Sequence, residues 1–528
     1  MAAEPPGGPR APGSSTVASP KFDVLEYDVE GNTLLRAIEI EKAVTPFLGP
    51  SRSIKDVEAA REQLERVYHD KGYKTVLVSI PQQQVSGGTV RLVVTEAPVG
   101  RLDIAGSHYH SLPAIEDKMR QLDPGTVPNF NEVQKELGDV NRSADLKVTP
   151  ILRASQTPGK VDVELSVKDE LPFHATIEAD NRYSPNTSHI RLNGGVSYDN
   201  LFQRDQSASF QYQIAPQRPE DAKIWSASYV IPLPDHLVTA LYAVHSDSNI
   251  AAVGGTDVIG RGNIYGLRLI APLPTSSLTF FHSITGGVDY KDFKESVLLQ
   301  GANGSLDSPV SYPPFTVQYS ATWLGAAQAA SAARAATAFG RSSTGFDIGF
   351  NFLISGLGTD WRQFAAKRAD AGRSYLYLRP KLTHEQILPG SWTLAAIVDG
   401  QVSSGPLINN EQYSAGGADS VRGYTEAERL ADNGVRGTLE LRTPQMSRAI
   451  FPHPEEAWAF VFTDAAHLRV IEPLPGQESS FTLWSAGIGL HLKAGGFSLT
   501  ASGARILEDG FVTPAGRYRG LFSAGFTY

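Results

Sequence analysis

The sequence predicts a transmembrane β-barrel of about 16 antiparallel strands, preceded by two small α+β domains. Three observations lead to this fold class. Residues 22–170 contain the same order of strands and helices twice. From residue 173 onward, segments of about 8–14 residues alternate apolar with polar side chains, as strands with two different faces do. No run of about 18 apolar residues occurs, so membrane-spanning helices are not expected, whereas alternating barrel strands keep the average hydropathy near neutral.

Composition narrows the classes of function. The 528 residues include no cysteine, which excludes disulfide frameworks and thiolate metal sites. The formal net charge is -9, so a surface that binds nucleic acid is not expected. Residues 1–21 are rich in proline, glycine, alanine and serine and are predicted to form a disordered lead. The pattern of an export signal, a charged segment followed by an apolar core, is not recognised there.

The first predicted α+β domain covers residues 22–97. Its second helix begins at a capping signature, Ser53 with Asp56, and Gly72 suits its end. In order, the predicted elements are a strand over Phe22–Glu30, helices over Leu35–Leu48 and from Ile54 to Gly72, and a hairpin of Lys74–Ile80 with Thr89–Glu96.

The second predicted domain, residues 98–170, repeats this order. Each unit has about 75 residues, which is sufficient for one small core. The two imidazoles of His108 and His110 have no third ligand nearby in sequence, so a surface turn is predicted there rather than a metal site. The elements are a strand over Val99–Ala105, helices over Leu112–Leu122 and Phe130–Asn141, and a hairpin of Lys147–Arg153 with Lys160–Val167.

The remaining chain, residues 171–528, is predicted to form the barrel. Connections as short as Pro232–Pro234 and as long as Val297–Tyr312 give the asymmetry of an outer-membrane barrel. The alanine-rich run Ala326–Ala338 is predicted to be a short helix within a loop. A soluble β-sandwich or propeller is the alternative, but no repeat period is found and aromatic residues concentrate near strand ends. Strands are expected to begin near residues 173, 189, 206, 223, 237, 257, 277, 315, 343, 373, 391, 434, 456, 480, 496 and 519.

A long loop, residues 401–433, joins the eleventh and twelfth predicted strands. Irregular connections of about 30 residues are uncommon in compact folds and usually have a function. At its centre, Gly416, Gly417 and Gly423 allow close backbone approach around Arg422. The strand that follows has one polar and one apolar face, as expected between a polar lumen and lipid. The two faces consist of Arg436, Thr438, Glu440 and Arg442, and of Leu439 and Leu441.

Two motifs resemble those of the outer-membrane translocators and insertases that combine POTRA domains with a barrel. Val421-Arg422-Gly423-Tyr424 matches their Val-Arg-Gly-Phe/Tyr motif. Phe462-Thr463-Asp464 matches their Phe-x-Asp-x-Gly motif on the thirteenth strand. The resemblance implies that the loop folds into the lumen, where Arg422 contacts Asp464 on the inner wall. Ala466 stands where the motif has glycine, so close backbone packing is not implied at that point.

The two α+β units are similar to POTRA domains. Residues 68–73, 80–82 and 92–94 resemble the first such domain of two-partner secretion transporters. The presence of two units indicates the TpsB branch, the haemolysin activator and filamentous haemagglutinin transporter family. Residues 22–170 alone leave a generic α+β pair of any function open. Further family-like features are Asp180-Asn181, Asp199-Asn200-Leu201 and the C-terminal Tyr528, where the family usually has phenylalanine.

The resemblance implies a location in the bacterial outer membrane, with the POTRA-like domains in the periplasm. It implies a pore whose partner is an unfolded exoprotein of the TpsA type. The pore is expected to capture this exoprotein and secrete it through the barrel without ATP. Activation of the exoprotein is a further expectation. Outer-membrane lipid and the barrel assembly machinery are the other expected partners. A β-barrel insertase of the same superfamily and, behind it, a passive porin remain the alternatives.

Catalytic chemistry is not expected. The sequence contains neither a glycine-rich phosphate loop nor a nucleophile elbow, so no enzyme, cofactor or metal site is predicted. The residues that bind the exoprotein stay unassigned beyond the exposed edge strands of the two POTRA-like domains. For Arg422 and Asp464, a guanidinium fork can hold a carboxylate bidentately. The alternative is that Arg422 decorates a solvated loop and Asp464 serves elsewhere.

Overall fold

The structure is a computed structural model that describes residues 21–528 except 86, 249, 254–255, 276, 278, 295, 299–304, 326–340, 359, 369, 373 and 447–455. The chain divides into two compact units, Met1–Pro172 and Phe173–Tyr528. The predicted lead up to residue 20 and the predicted helix Ala326–Ala338 lie outside the described residues. Within the described part, no helix is long and apolar enough to cross a membrane.

The first α+β repeat is a three-stranded sheet covered by two helices. Its elements are β1 (Phe22–Val24), β2 (Glu26–Glu30), α1 (Ala37–Val44), β3 (Gly49–Arg52), α2 (Ile54–Asp70), β4 (Val76–Ser79) and β5 (Thr89–Glu96). The sheet order is β2-β5-β4, with β2 parallel to β5. The strand predicted over Phe22–Glu30 is divided at Leu25, because β1 pairs with β3 instead of joining the sheet. As predicted, α2 begins at a capping box formed by Ser53 and Asp56.

The second repeat has the same architecture. Its elements are β6 (Val99–Ala105), α3 (Leu112–Glu116), α4 (Phe130–Val140), β7 (Leu146–Ala154) and β8 (Val161–Asp169), and its sheet order is β6-β8-β7. The segment Leu112–Leu122, predicted as one helix, contains two elements. The helix α3 ends at Glu116, and a separate 3₁₀ turn follows at residues 120–122. This turn places Met119 and Leu122 in the domain core, where both are fully buried.

The two repeats meet where α2 ends and α4 begins. The carbonyl of Lys71 accepts a hydrogen bond from Asn129 Nδ2 (3.0 Å), and that of Gly72 accepts one from the backbone N–H of Phe130 (2.9 Å). A Cβ on Gly72, whose φ is +102°, would lie 2.3 Å from Asn129 Oδ1. Gly72 is therefore needed for this junction as well as for the end of the helix.

A buried carboxylate orders the turn that contains His108 and His110. The side chain of Asp169 is fully covered and accepts backbone hydrogen bonds from His108 (3.0 Å), Tyr109 (2.7 Å) and His110 (3.0 Å). Burial alone would raise the pKa of Asp169, but these N–H groups outweigh it and hold the pKa well below its usual value. Asp169 thus satisfies amide groups that would otherwise lack partners.

The second unit is a closed antiparallel barrel. Sixteen strands form the ring: β9 (Phe173–Asp180), β10 (Arg191–Leu201), β11 (Gln206–Ile214), β12 (Lys223–Pro232), β13 (Val238–Ser246), β16 (Gly262–Pro272), β17 (Phe280–Phe293), β20 with β21 (Val310–Tyr312 and Phe315–Gly325), β22 (Ser342–Leu353), β23 (Tyr375–Ile387), β24 (Thr393–Ser403), β27 (Asn433–Arg442), β28 (Glu456–Arg469), β29 (Ser480–Ala494), β30 (Phe497–Ile506) and β31 (Tyr518–Thr527). Segments β20 and β21 count as one strand, because both pair with β17 and only Pro313-Pro314 separates them. The predicted fold class is confirmed.

Small elements occupy the loops between these strands. They are the hairpins β14 (Ile250–Val253) with β15 (Thr256–Ile259), β18 (Ser296–Leu298) with β19 (Ser305–Asp307), and β25 (Tyr413–Ala415) with β26 (Arg429–Ala431), and the helix α5 (Trp361–Lys367). The sixth barrel strand begins at Gly262 rather than near residue 257, because the residues before it pair within the first of these hairpins.

The ring closes between its first and last strands. Strands β31 and β9 pair antiparallel from Ser523 opposite Asp180 to Thr527 opposite Thr176. The Asn181 side chain extends the seam by donating to the carbonyl of Gly520 and accepting from the N–H of Phe522, both at 2.9 Å. Large apolar side chains face outward along the ring, which fits contact with lipid. Examples are Leu241, Leu267, Leu439, Val461, Ile488 and Phe526.

Replacing Asp169 by alanine should destabilise the second α+β repeat by about 2 kcal/mol, because buried N–H groups lose their acceptor. Hydrogen exchange of residues 98–170, measured on the whole chain in detergent at pH 7, should accelerate roughly 30-fold. Because its folded-state pKa is depressed, Asp169 contributes its full stabilisation above about pH 4 and loses it as the pH falls further.

The matched control is Asp103→Ala, which removes an exposed carboxylate paired with Arg101 in the same domain. It should leave exchange unchanged, since exposed ion pairs contribute little. Equal effects of the two substitutions would contradict a structural role for Asp169.

Candidate functional site

The loop between β24 and β27, residues 404–432, enters the barrel. Its hairpin β25–β26 leads to a tip, residues 416–428. At the tip, Arg422 contacts Glu440, which lies seven residues along β27 from its first residue, Asn433. At about 3.3 Å per residue, this contact is roughly 23 Å along the strand from the loop end of the barrel. The loop therefore folds back into the lumen.

Arg422 forms hydrogen bonds to two carboxylates on the inner wall. Its Nε donates to Asp464 Oδ2 (2.7 Å) and its Nη2 donates to Asp464 Oδ1 (2.9 Å), a bidentate pair. The backbone N–H of Arg422 donates to the same carboxylate (3.0 Å), and Nη1 donates to Glu440 Oε2 (2.7 Å). Asp464 is 0% exposed. Such buried, charge-assisted and bidentate contacts are directional and strong, so the arrangement differs from the solvated arginine that the sequence left open.

Aromatic rings pack against the same guanidinium. Arg422 Cζ lies 3.5 Å from the ring centroid of Phe462 and 5.8 Å from that of Phe460. Glycines on the neighbouring strand β29 leave room for these rings. A Cβ on Gly487 would lie 2.6 Å from Phe462 Cζ, and one on Gly489 would lie 2.2 Å from Phe460 Cζ. Phe462 thus supports the arginine from the wall, and the small residues of β29 make that position possible.

The residues beside Arg422 fix the direction of the tip. Tyr424 is fully buried, and its hydroxyl donates to the carbonyl of Glu508 (2.6 Å) and accepts from the N–H of Trp484 (3.2 Å). Val421 is also fully buried and belongs to an apolar cluster that includes Ala466. Gly423 has φ +100°, and a Cβ there would lie 3.1 Å from that of Ala504. A glycine is therefore required between the two buried side chains.

Ala466, which replaces the glycine of the family motif, does not prevent close packing. It is 3% exposed and lies in the same apolar cluster as Val421 and Tyr424. Its methyl group faces the loop from the wall of β28, so the substitution adds an apolar contact with the tip.

Carboxylates within the tip shape its turns. Glu428 accepts hydrogen bonds from the N–H groups of Thr425 (2.9 Å), Val512 (2.9 Å) and Thr513 (2.8 Å), and thereby links the tip to the loop between β30 and β31. Glu426 accepts from the N–H of Ala418 (2.9 Å). These two side chains take the place of a regular ladder in the tip.

The tip also contacts β27 and the residues that follow β9, the first strand of the ring. Asp419 Oδ2 accepts from Arg182 Nη1 (2.7 Å), and the carbonyl of Asp419 accepts from Arg436 Nη1 (2.9 Å). Asp180, in the early Asp-Asn motif, is buried and accepts from Asn193 (2.6 Å) and from the N–H of Arg182 (2.7 Å). The tip therefore extends from β28 across to the first strand of the ring.

At the loop end of the barrel, Asp432 holds three outer loops together. Its carboxylate is 0% exposed and accepts hydrogen bonds from both terminal nitrogens of Arg368, which follows α5. It also accepts hydrogen bonds from the backbone N–H groups of Leu407 (2.8 Å) and Ile471 (2.7 Å). The base of the inward loop is thus fixed to its neighbours on both sides.

The structure places all six predicted residues in one neighbourhood: Val421, Arg422, Gly423, Tyr424, Phe462 and Asp464. Sequence reasoning assigned Glu440 to the lumen face without recognising it as a second partner of Arg422. It missed Glu428 and Asp432 altogether. Both are acids in an irregular loop, and their partners are up to 85 residues away in sequence, so no local pattern could have identified them.

Two cavities of about 630 and 840 Å³ lie in the lumen. Tyr413 of the loop and the wall residues Asp399 and Arg436 line both of them. Tyr413 donates to Asp399 Oδ1 (2.6 Å), and Arg436 Nε donates to Asp399 Oδ2 (2.5 Å). The loop thus occupies the lumen between the two cavities and contacts the wall there through polar groups.

A 16-stranded barrel with tandem α+β domains ahead of it and an inward loop pinned by an arginine defines a class of outer-membrane protein-translocating barrels. The profile of the ShlB-type POTRA domain matches residues 22–97. The profile described as haemolysin secretion/activation protein ShlB/FhaC/HecB matches residues 159–270 and 316–492. The chain belongs to this family, the TpsB-type two-partner secretion transporters, and the predicted resemblance is confirmed. It resides in the outer membrane, with its POTRA region in the periplasm.

Individual relatives agree with this assignment. The outer membrane transporter CdiB of Escherichia coli is 26% identical over 524 residues, covering 91% of this chain and 78% of CdiB. The heme/hemopexin transporter protein HuxB of Haemophilus influenzae is 19% identical, covering 89% of this chain and 81% of HuxB.

Among solved structures, CdiB from Escherichia coli has a TM-score of 0.69 at 18% identity and covers 98% of this chain and 93% of its own. BamA from Haemophilus ducreyi lacking POTRA domains 1–3 has a TM-score of 0.54 at 14% identity, covering 96% of this chain and 100% of its own. At these identities the likeness concerns the fold.

Replacing Gly487 by alanine should displace the Phe462 ring and loosen the tip, because the added methyl group would also lie 2.1 Å from the carbonyl oxygen of Gly503. We expect the free energy of unfolding to fall by about 2 kcal/mol, as at other overpacked positions. Thermal unfolding of the barrel in detergent measures this loss, and hydrogen exchange of residues 416–428 measures the loosening of the tip.

Gly503→Ala on the adjacent strand is the matched control, since a Cβ there meets nothing within 4 Å. It should change the free energy of unfolding by less than about 0.5 kcal/mol. A tip that exchanges equally slowly in both variants would contradict support of Arg422 through Phe462.

Proposed function

We propose that this protein captures an unfolded exoprotein in the periplasm through its α+β repeats and passes it outward through the barrel lumen without nucleotide hydrolysis. The observation that carries the proposal is the inward loop, whose tip Arg422 is held by Asp464 and Glu440 inside a closed polar-lined ring. A loop that closed the lumen permanently would not need buried charges at its tip. A loop that changes position uses contacts that can break and form again.

The edges of the first sheet support one route of capture. On edge strand β4, the N–H of Val78 donates to Glu65 (3.0 Å) and the carbonyl of Val76 contacts His69 Nε2 (3.0 Å), both side chains of α2. This edge is therefore occupied by the domain itself. On the opposite edge, β2 pairs only with β5 among the described residues. An extended segment of the exoprotein adds to the open edge of β2 by strand addition.

The second sheet has the same asymmetry. Asn141, at the end of α4, hydrogen-bonds both backbone groups of Val148 on edge strand β7 (2.6 and 3.0 Å). The opposite edge strand, β6, pairs only with β8 within the described part of the chain. Each repeat thus protects one edge of its three-stranded sheet and leaves the other edge strand, β2 or β6, open, which gives the exoprotein two equivalent docking edges.

Passage through the lumen requires the inward loop to move, because the loop lies between the two cavities. The lumen wall is lined by paired charges, such as Arg268 with Asp289 and Arg436 with Asp399. An unfolded chain that is moving past such a wall finds hydrogen-bonding partners without a continuous apolar surface to adhere to. Folding of the exoprotein outside supplies the direction, since the folded product cannot re-enter the pore. The barrel assembly machinery inserts the barrel, and outer-membrane lipid surrounds it.

Arg422→Ala should leave insertion of the barrel intact and reduce secretion of the cognate exoprotein at least about tenfold, because buried Asp464 and Glu440 lose their shared cation. Secretion is measured by immunoblot of culture supernatant, and insertion by heat-modifiable mobility of the outer-membrane fraction. Arg422→Lys keeps the charge without the bidentate fork and should be intermediate.

Arg362→Ala, at an exposed arginine of α5, is the control and should secrete normally. Full secretion by the Arg422→Ala variant would contradict the proposed role of the tip. A general loss of outer-membrane proteins on depletion of the chain would instead favour an insertase.

A photo-crosslinking amino acid at Asp28 on β2 should capture the exoprotein during export, whereas the same amino acid at Ser79 on β4 should not. Both positions are exposed on edge strands of the same sheet, so they differ chiefly in whether the neighbouring edge is open. Crosslinked products are identified by mass spectrometry. Capture from Ser79 alone would mean that the exoprotein does not add to β2.

A further inference from the structure

A second buried carboxylate fixes the inward loop far from Arg422. Glu411, between β24 and β25, is 1% exposed. Its Oε1 accepts from Lys291 Nζ (2.6 Å) and from the hydroxyl of Tyr312 (2.5 Å), and its Oε2 accepts from the hydroxyl of Tyr377 (2.7 Å). Three donors from the barrel wall therefore surround one carboxylate of the loop. We call this group the Glu411 anchor.

The Glu411 anchor lies on a different sector of the ring from the Arg422 contacts. Lys291, Tyr312 and Tyr377 belong to the seventh, eighth and tenth strands, whereas Asp464 lies on the thirteenth. The backbone is fixed there as well, because Gln401 Nε2 donates to the carbonyl of Glu411 (3.1 Å). The wall side chains of the two sets are different residues: Tyr377 on the tenth strand belongs to the Glu411 anchor, whereas Glu440 on the twelfth strand belongs to the Arg422 contacts.

The wall side of the Glu411 anchor is complementary to a carboxylate. Tyr312 and Tyr377 are buried, and the Lys291 ammonium lies 5.9 Å from the ring centroid of Tyr312. Leu407 and Ile408, each 1% exposed, seal the site from the loop side. Without Glu411, the largely covered Lys291 and the buried hydroxyl groups of Tyr312 and Tyr377 would lose their shared acceptor, so the wall itself favours the seated loop.

Two glycines separate the two attachments along the chain. Gly416 and Gly417, with φ of +106° and +117°, lie between Glu411 and Arg422. Arg422, Tyr424 and Glu428, which hold the tip, all lie on the far side of these glycines. The contacts of the tip and those of Glu411 therefore belong to different parts of the loop, so the tip contacts can break while Glu411 keeps its own.

We propose that Glu411 is a positioning residue that holds the first half of the inward loop independently of Arg422, so that full opening of the pore requires release of both attachments. This inference deepens the proposed function but concerns only how the loop is seated. Release of the tip alone gives a narrow pore, and release of both gives a wide one.

The test is ion conductance of the purified whole chain in planar lipid bilayers in potassium chloride, with no exoprotein present. Arg422→Ala and Glu411→Ala should each change the mean conductance less than about twofold, and the double variant should raise it at least about fivefold. Glu472→Gln, at an exposed acid of a neighbouring outer loop, is the control for loss of negative charge.

A cysteine label reports the Glu411 anchor directly, because the chain has no cysteine of its own. With Ile408→Cys, reaction with a membrane-impermeant maleimide should accelerate at least about tenfold on Glu411→Ala and less than twofold on Arg422→Ala. If Glu411→Ala does not reach the membrane, Tyr312→Phe with Tyr377→Phe weakens the anchor and is expected to accelerate labelling in the same direction.

Two results would overturn the proposal. One is a conductance of the Arg422→Ala variant equal to that of the double variant. The other is labelling at position 408 that responds to Arg422→Ala as strongly as to Glu411→Ala. Neither result bears on secretion of the exoprotein, so the proposed function is tested separately.

Discussion

Closure of the backbone hydrogen-bond ladder is the constraint on which the rest of this structure depends. In hydrocarbon each backbone N–H and C=O needs a partner within the protein, and only a ring of strands without free edges provides it. The pairing of β31 with β9, extended by the Asn181 side chain, completes that ring. Once the wall is fixed in this way, a change of conformation is confined to the loops and the lumen.

The inward loop meets this fixed wall through buried charges as well as through apolar clusters. Arg422, Glu411 and Asp432 each take partners from different strands or loops. Buried ion pairs contribute modest net stability, but losing one partner is costly, so each contact has two well-separated states, made and unmade. That property suits an element that must hold a position at rest and leave it completely when a polypeptide passes. A continuous apolar interface would offer no such discrete step.

The sequence anticipated most strand starts within about three residues, because alternation has a fixed period of two in a strand with one polar and one apolar face. Two starts differ by about five residues. The sixth strand begins at Gly262, because β15 pairs outside the ring, and the eighth begins at Val310, because β20 extends it beyond Pro313-Pro314. Leu112–Leu122 was predicted as one helix because apolar spacing does not reveal that the chain turns at Met119. Local patterns thus identify elements reliably and their pairing less so.

By itself, the sequence determined the barrel, the tandem α+β order, the position of the long loop and the motifs around Arg422 and Asp464, since each depends on local period or on a short motif. Tertiary structure alone decided which further acids hold the loop. Glu411, Glu428, Glu440 and Asp432 resemble other surface acids in sequence, and their partners lie between 2 and 120 residues away. Ring closure and the return of the loop into the lumen bring those partners together, and burial of the resulting ion pairs gives them their effect.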